Sequence, residues 1–267
     1  MRNDLELIIK KMPSSWKHIN LYALGDIHVG SEQYDEEATK KKIKIIRDDP
    51  YGLVTLCGDL ADYGLKNSVS NVYRQTMSPD AQQAYLLELF EPIKEKIVSA
   101  VPGNHEERIV REVGLCPLYD LCVLWGIPDV YRENVAILKL TFGKYKNGPG
   151  QNSFVGITTH GSTKNKHHKF LGGWDCIDWS VSGHNHSPSY SPGARIRVNS
   201  QKETAQLVPF KEIVVDAHLK PGGYSIKKEY EIPPPPELQY LELTTKRSQK
   251  NGENKVLKVI NYHSIQI

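Results

Sequence analysis

Seven side chains of metal-binding types each follow a short apolar segment of the chain. Carboxylate, amide and imidazole groups are suitable ligands for divalent first-row metals. Cysteine is absent from the set, which argues against a structural zinc site. Seven donors exceed the needs of one tetrahedral site, so they predict two ions that share a carboxylate. Two ions roughly 3.5–4 Å apart can bind the attacking and the leaving oxygen of a phosphoryl displacement. The seven are Asp26, His28, Asp59, Asn104, His160, His184 and His186.

Five apolar segments precede these donors, and turn residues bound each one, as is typical of buried strands. Open α/β sheets bind their ligands at the carboxyl ends of the strands. The segments are therefore predicted to gather the seven donors at one edge of the protein. They are Asn20–Leu24, Leu53–Cys57, Ile97–Val101, Phe154–Thr159 and Ile177–Ser182.

Helices are predicted between the early strands. Glu36–Arg47 carries Ile43 and Ile46 on one side, and Ser78-Pro79 has the sequence of a helix start. Pro92 should kink or split the second helix. This alternation of strands and helices predicts a layered α/β core with right-handed crossovers.

The chain beyond about residue 135 is richer in strand patterns. The stiff run Pro233–Pro236 is predicted to be an extended connector, and the polar segment Lys246–Asn254 a hairpin loop. We predict a catalytic core over residues 1–206 and a β-rich extension over residues 207–267 that belongs to the same domain. The predicted strands are Val135–Phe142, Ile213–Val215, Tyr224–Tyr230, Leu238–Leu243 and Val256–Ile260.

Composition narrows the class of protein. The 267 residues can bury a substantial core, and a net charge of +3 is too small to diagnose a nucleic-acid binder. The four cysteines form no CxxC pair, which favours reduced and mostly buried thiols. No secretory signal and no membrane-spanning apolar run is evident, so we expect a cytoplasmic protein without a membrane partner.

Each motif alone also has a purely structural explanation. A single Gly-Asp pair usually marks a turn, and a single histidine after a strand is usually a hydrogen-bonded structural residue. Five such motifs in order, each at a predicted strand end, favour a functional site.

The ordered motifs resemble those of the calcineurin-like metallophosphoesterases. The resemblance spans Gly25 to His186 and leaves the last part of the chain uncovered. It implies two mixed sheets packed face to face and flanked by helices. It also implies a dinuclear-metal-dependent phosphoester hydrolase that attacks phosphorus with a metal-bound hydroxide, with manganese expected first and iron or zinc as alternatives. The motifs are Gly25-Asp26-Ile27-His28, Gly58-Asp59-Leu60-Ala61-Asp62, Gly103-Asn104-His105-Glu106, His160 and Gly183-His184-Asn185-His186.

The resemblance also implies a role for each matched residue. Asp26, His28 and His186 would bind the first metal, while Asn104, His160 and His184 would bind the second. Asp59 would bridge both. His105 would act as general acid or as a positive contact to the phosphate. Asp62 would orient His105 and raise its pKa, as a carboxylate beside an imidazole does.

Weaker signals concern the substrate. Arg108 is equally consistent with a phosphate contact and with an exposed helix residue. Lys164, Lys166 and Lys169 follow His160 closely and predict an electropositive loop at the rim, although a solvated loop is the commoner meaning of such a run. The lysine run Lys40–Lys44 is interpreted as the wet face of a helix. Trp174 and Trp179 are assigned to the core, with base stacking as the alternative.

The motifs do not identify the phosphoester. The first two resemble most closely the branch that contains the SbcD-type DNA exonucleases. Tyr63-Gly64 stands where serine/threonine phosphatases have Arg-Gly, and His105 stands where lipid-A precursor hydrolases have arginine. We therefore expect a phosphodiesterase or a DNA or RNA nuclease first. A small-molecule or nucleotide phosphomonoesterase is second, and a non-catalytic metal-holding scaffold is third.

Overall fold

The computed structural model describes residues 5–66, 68, 72–144, 151–162, 164–201, 203–222, 226, 235–250 and 253–267. Within these residues the strands form two mixed sheets. The first has the order β1-β5-β6-β7-β9-β8, and the second has the order β11-β10-β2-β3-β4. The strands are β1 (Ile8–Lys11), β2 (His18–Leu24), β3 (Gly52–Leu56), β4 (Ile97–Ala100), β5 (Val135–Phe142), β6 (Asn152–Thr159), β7 (Trp179–Ser182), β8 (Ser189–Asn199), β9 (Thr204–Val214), β10 (Glu237–Lys250) and β11 (Glu253–Gln266).

Helices flank both sheets, so the α/β fold of two mixed sheets is confirmed. One apolar cluster lies between the two sheets and contains Leu21, Leu140 and Val181. A second packs helices against the five-stranded sheet, and a third places Leu171 against the six-stranded sheet. The helices are α1 (Glu36–Asp48), α2 (Pro79–Phe90), α3 (Asn104–Val113), α4 (Pro117–Leu124) and α5 (Lys164–Gly172).

The strand arrangement explains how distant donors meet. Strands β2, β3 and β4 are mutually parallel in one sheet, and β6 and β7 are parallel in the other. The carboxyl ends of each parallel set lie at one edge of their sheet, and all seven predicted donors follow these five strands. Two backbone hydrogen bonds also tie neighbouring ligand turns together, from Asp26 to the carbonyl of Gly58 (3.0 Å) and from Gly183 to that of His160 (2.9 Å).

The predicted helices are present, and Pro92 ends one of them as expected. Helix α1 begins after Asp35, whose side chain accepts the amide of Ala38 at 3.1 Å. Helix α2 begins after Ser78, although the Ser78 hydroxyl bonds to Asp80 instead of capping a helix amide. A 3₁₀ segment, Glu91–Lys96, follows α2 because Pro92 cannot continue the α-helical hydrogen bonding.

Two local predictions for the later chain are wrong or untested. The segment Lys246–Asn254 is not a long loop, because β10 continues to Lys250 and β11 starts at Glu253. The predicted strand Tyr224–Tyr230, apart from Ile226, lies outside the described residues, as do Pro233 and Pro234.

Strands from the later chain lie among those of the earlier chain. Strand β9 lies between β7 and β8, and β10 pairs with β2. The boundary proposed after residue 206 falls inside β9. This pairing supports our proposal that residues 207–267 belong to the same domain as residues 1–206.

The thiols and the membrane expectation can also be compared with the structure. All four cysteines have free thiols; Cys57 and Cys122 are buried, Cys116 is half-buried and Cys176 is exposed, so burial holds for two of them. None of the helices in the described ranges combines the length and apolar character needed to cross a bilayer.

The lysine run Lys40–Lys44 is not uniformly solvated. Lys42 is 1% exposed, and its Nζ lies 3.1 Å from Oδ2 of Asp216. Burial lowers the pKa of Lys42 and raises that of Asp216, although each charge partly compensates the other. The interpretation as a wet helix face is therefore wrong for Lys42, because its partner comes from a distant part of the chain.

Replacing Lys42 with methionine should lower the free energy of unfolding by roughly 3–5 kcal/mol, since it leaves the Asp216 carboxylate buried without its partner. Urea denaturation measures the change. Lys41→Met is the matched control, because Lys41 is exposed on the same helix and should change stability by less than about 0.5 kcal/mol. Equal stability of Lys42→Met and the parent chain would contradict a buried ion pair.

Candidate metal centre

Three of the predicted ligands form one compact group. Donor atoms of Asp26, His28 and His186 all lie within 4.8 Å of one another. Nε2 of His28 and Nε2 of His186 are 3.0 Å apart, and His186 Nε2 is 3.9 Å from Oδ1 of Asp26. Two imidazole nitrogens and a carboxylate oxygen therefore face one small volume.

The other predicted ligands form a second group beside the first. The amide oxygen of Asn104 lies 3.0 Å from Nε2 of His160 and 2.9 Å from Nδ1 of His184. Oδ2 of Asp59 is 3.3 Å from His160 Nε2 and 3.9 Å from His28 Nε2. Asp59 therefore lies between the two groups, where a shared carboxylate would have to be.

Hydrogen bonds orient the ligand imidazoles. Nδ1 of His160 lies 2.8 Å from the carbonyl oxygen of Cys57. A carbonyl only accepts, so Nδ1 carries a proton, and Nε2 faces Asn104 and Asp59, where its lone pair would be available to a bound cation. Nδ1 of His28 similarly faces Oδ1 of Asp62 at 3.5 Å, which leaves its Nε2 toward the centre. Such partners fix the tautomer of a metal-binding histidine.

Five of the seven predicted ligands adopt left-handed backbone conformations. A non-glycine residue in this region costs on the order of 1–2 kcal/mol, and such strain concentrates at functional sites. Sequence patterns did not reveal it, because aspartate and histidine tolerate this conformation better than most residues and carry no separate signal. The five are Asp26 (φ 49°), His28 (φ 53°), Asp59 (φ 52°), His184 (φ 74°) and His186 (φ 52°).

Glu106 is a supporting residue whose role the sequence analysis missed. Its buried carboxylate accepts the backbone amides of Asp59 (2.9 Å), Leu60 (2.8 Å) and Gly103 (2.8 Å). It thereby joins the turn that carries Asp59 to the turn that carries Asn104. Its place in the third motif was the available signal.

His218 is a second supporting residue that was missed. Its backbone amide donates to the carbonyl of Asp26 at 2.9 Å, and its Nδ1 is 2.9 Å from the hydroxyl oxygen of Thr39. Thr39 donates its only hydroxyl proton to the carbonyl of Asp35 at 2.8 Å, so His218 Nδ1 must be the donor. Burial holds the pKa of His218 well below its usual range. No sequence signal marked this residue.

His105 lies beside the two ligand groups. Its Nε2 is 3.7 Å from Oδ2 of Asp59, and its Nδ1 is 2.7 Å from the backbone oxygen and 3.2 Å from Oδ1 of Asp62. The Arg108 guanidinium lies 3.0 Å from Nε2 and 3.1 Å from Nδ1 of the same ring. Gln75 donates to Asp62 Oδ2 at 2.6 Å and so holds that carboxylate in place.

The electrostatics of the centre are set by buried charges at close range. Burial raises the pKa of Asp26 far above its usual value, with the Asp59 charge adding to the effect. Burial opposes protonation of His160 and His105, but neighbouring carboxylates outweigh it. Asp59, together with Asp26, raises the pKa of His160 to about 10, and Asp62 and Asp59 raise the pKa of His105. The same imidazoles hold the pKa of Asp59 well below its usual range despite burial.

The donor chemistry of these residues fits divalent metal ions. Buried carboxylates, an amide oxygen and imidazoles with oriented lone pairs converge without a cysteine among them. A divalent cation would compensate the adjacent carboxylates and be bound by the imidazoles in their neutral form.

The predicted substrate-binding residues are placed unevenly. The segment with Lys164, Lys166 and Lys169 is helix α5 and not a loop. Lys166 lines a cleft next to the centre, whereas Lys169 is exposed but does not line it. The side chain of Lys164 lies outside the described residues. Trp179 is fully buried in the core, as assigned, and Trp174 is partly buried against the third apolar cluster.

Comparison with protein families gives the assignment. A family model described as calcineurin-like phosphoesterase matches residues 19–190, more than half of the 267 residues. The chain belongs to the calcineurin-like phosphoesterases. A calcineurin-like phosphoesterase with this Asp/His cluster is a metal-dependent hydrolase of phosphoesters. A comparison with curated proteins gives no significant match. The narrower resemblance to SbcD-type enzymes stays a prediction.

Proposed function

We propose that the centre holds two divalent ions, manganese by preference, and hydrolyses phosphodiesters. Asp26, His28 and His186 would hold one ion, and Asn104, His160 and His184 the other. Asp59 would bridge them. Bound ions would supply Lewis-acid polarisation of the phosphoryl group and of a water molecule. The two donor groups on either side of Asp59 support this assignment.

His105 is proposed to protonate the leaving oxygen or to contact the phosphate as a cation. Its Nδ1 donates a hydrogen bond to the backbone oxygen of Asp62. In the protonated ring, the Nε2 proton is therefore directed toward Asp59 and the centre. Arg108 adds a second cation within 3.1 Å of this ring. Two adjacent positive groups are stabilised when an anionic phosphate lies against them.

A cleft of about 520 Å³ is the observation that favours a diester. It opens from Asn104, His160 and His184 on one side of the centre. His28, His105 and His186 lie outside its lining, so the cleft approaches the centre from the Asn104 side. One organic group of a phosphodiester could fill the cleft, while the other, as the leaving group, departs past His105. A phosphomonoester of a nucleotide would need only one of these spaces and is the second candidate.

Hydrolysis of bis-p-nitrophenyl phosphate and of p-nitrophenyl phosphate tests this order. With Mn²⁺ supplied, we expect kcat/KM for the diester to exceed that for the monoester by at least about tenfold, or about 1.4 kcal/mol. A reversed preference would establish the phosphomonoesterase instead. Metal-loaded protein that turns over neither ester would favour the scaffold.

A nucleic-acid strand is the polymeric form of the same substrate class. Arg108 and Lys169, which lie outside the lining of the cleft, are the proposed contacts to its phosphates. A single-stranded oligonucleotide in the same assay extends the comparison to polymers, and binding through several phosphates would weaken steeply as salt rises.

A further inference from the structure

We propose that the cleft beside the centre is a nucleoside-binding subsite, with the base stacked on Phe170 and no further phosphate inside it. The inference rests on the proposed phosphodiesterase function and narrows its substrate. The volume of about 520 Å³ lies within the usual range for small-ligand sites. The cleft reaches the second ligand group directly, so its occupant would be bonded to the scissile phosphate.

The aromatic surface of the cleft is Phe170 on helix α5. Its side chain is 39% exposed, and its ring packs edge-on against Trp174 with centroids 5.6 Å apart. Arg195 donates to the carbonyls of Leu171 (3.1 Å) and Trp174, which fixes the end of this helix. A base stacked on such a ring gains about 1–3 kcal/mol.

The charges on the cleft walls nearly cancel. Glu107 is paired with Arg111 at 2.7 Å, and Nε2 of His167 lies 3.2 Å from Oε1 of Glu212. The other described charged groups of the lining are Lys166 and Glu133, which are of opposite sign. Among the described lining residues, a strand that continued through the cleft would meet the Glu133 carboxylate as well as the Lys166 ammonium, so the cleft suits an uncharged group.

Polar groups complete the lining. Thr159, Ser162 and Glu133 line the same cleft as Phe170 and carry side-chain oxygens. These oxygens can accept hydrogen bonds from sugar hydroxyls, and a planar base can stack on the ring of Phe170. An uncharged group that has both a planar face and several hydroxyls is a nucleoside.

Three diesters with the same leaving group test the subsite. They are methyl p-nitrophenyl phosphate, thymidine 5′-(p-nitrophenyl phosphate), and the latter with a 3′-phosphate. Metal-loaded parent protein should prefer the nucleoside ester to the methyl ester. Phe170→Ala should reduce that preference by roughly 5- to 150-fold, the equivalent of the stacking energy. The 3′-phosphate should give no gain in kcat/KM.

Tyr119→Ala is the matched control. Tyr119 is also 39% exposed and packs edge-on against Tyr131 at the same interplanar angle of 64°, but it lies outside the cleft. It should leave the preference unchanged, and Phe170→Tyr should retain most of it. An unchanged preference in Phe170→Ala, or a faster reaction with the 3′-phosphate, would overturn the subsite.

Calorimetric binding of thymidine separates this inference from the proposed function. If none of the three diesters is hydrolysed but thymidine binds the parent and not Phe170→Ala, the subsite stands and the phosphodiesterase proposal fails. If the methyl ester and the nucleoside ester are hydrolysed equally and thymidine does not bind, the phosphodiesterase proposal stands and the subsite is overturned.

Discussion

Replacing Asp59 with alanine should remove most of the bound metal from the protein and abolish its phosphoesterase activity. Oδ2 of Asp59 lies between His28 and His160, so one carboxylate serves both proposed ions. Elemental analysis after loading with Mn²⁺ should approach two ions per chain for the parent and fall to well under one for the variant. The count of two is itself tested by this measurement.

Asp59→Asn sharpens the result, because Oδ1 of Asp59 also accepts the backbone amide of His105 at 2.8 Å. Asparagine retains that acceptor and removes the charge, so a loss of metal in this variant reflects the missing carboxylate. Asp48→Asn, an exposed acid on α1, serves as a control that should bind metal normally. Two tightly bound ions in both Asp59 variants would refute the bridge.

His105→Ala should keep the metal and reduce kcat by roughly 10²–10⁴-fold, the usual contribution of a general acid. The reduction should be smaller for p-nitrophenyl esters than for alkyl esters, because a good leaving group needs less protonation. Steady-state kinetics on the two kinds of ester, with metal content measured in parallel, provide the readout.

Asp62→Asn should give a milder version of the same defect. The backbone oxygen of Asp62 still accepts from His105 Nδ1 at 2.7 Å in that variant, so His105 loses only the charge and the weaker side-chain contact. Asp62 also faces Nδ1 of His28 at 3.5 Å, so metal content is measured for this variant too. Loss of metal from His105→Ala would show instead that His105 is a ligand, which its distance of 3.7 Å from Asp59 leaves open to test.

The ligand set could be predicted from sequence because each donor follows a strand directly. A short apolar segment, a glycine and a donor define the end of a buried strand locally, and parallel pairing then brings the ends together. Asp26, Asp59 and His184 illustrate this, since each follows a strand and a glycine, and the ordered set of five motifs distinguishes them from ordinary turns.

Features that depend on distant partners could not be predicted. Lys42 lies in a lysine-rich helix, and only its contact with Asp216 shows that it is buried. Strand β1 is too short to recognise, and it forms by pairing with β5 far along the chain. His218 contacts Asp26 through its backbone amide, which no side-chain pattern can reveal.

Helix α5 was missed for a different reason. The charged run after His160 resembled a solvated loop, but His167, Phe170 and Leu171 have the i, i+3, i+4 spacing of a helix face. His167 and Leu171 are buried on that face. In so short a segment, the lysine-rich composition masks the helical periodicity.

The pairing of β2 with β10 has a consequence for the order in which the site is completed during synthesis. Strand β2 leads into Asp26 and His28, and it pairs with β3 on one side and with β10 on the other, where Tyr22 lies opposite Tyr240. The ribosome makes β2, which ends at Leu24, long before β10, which starts at Glu237. The strand that delivers the first two ligands therefore waits, with one edge uncovered, until β10 has been translated.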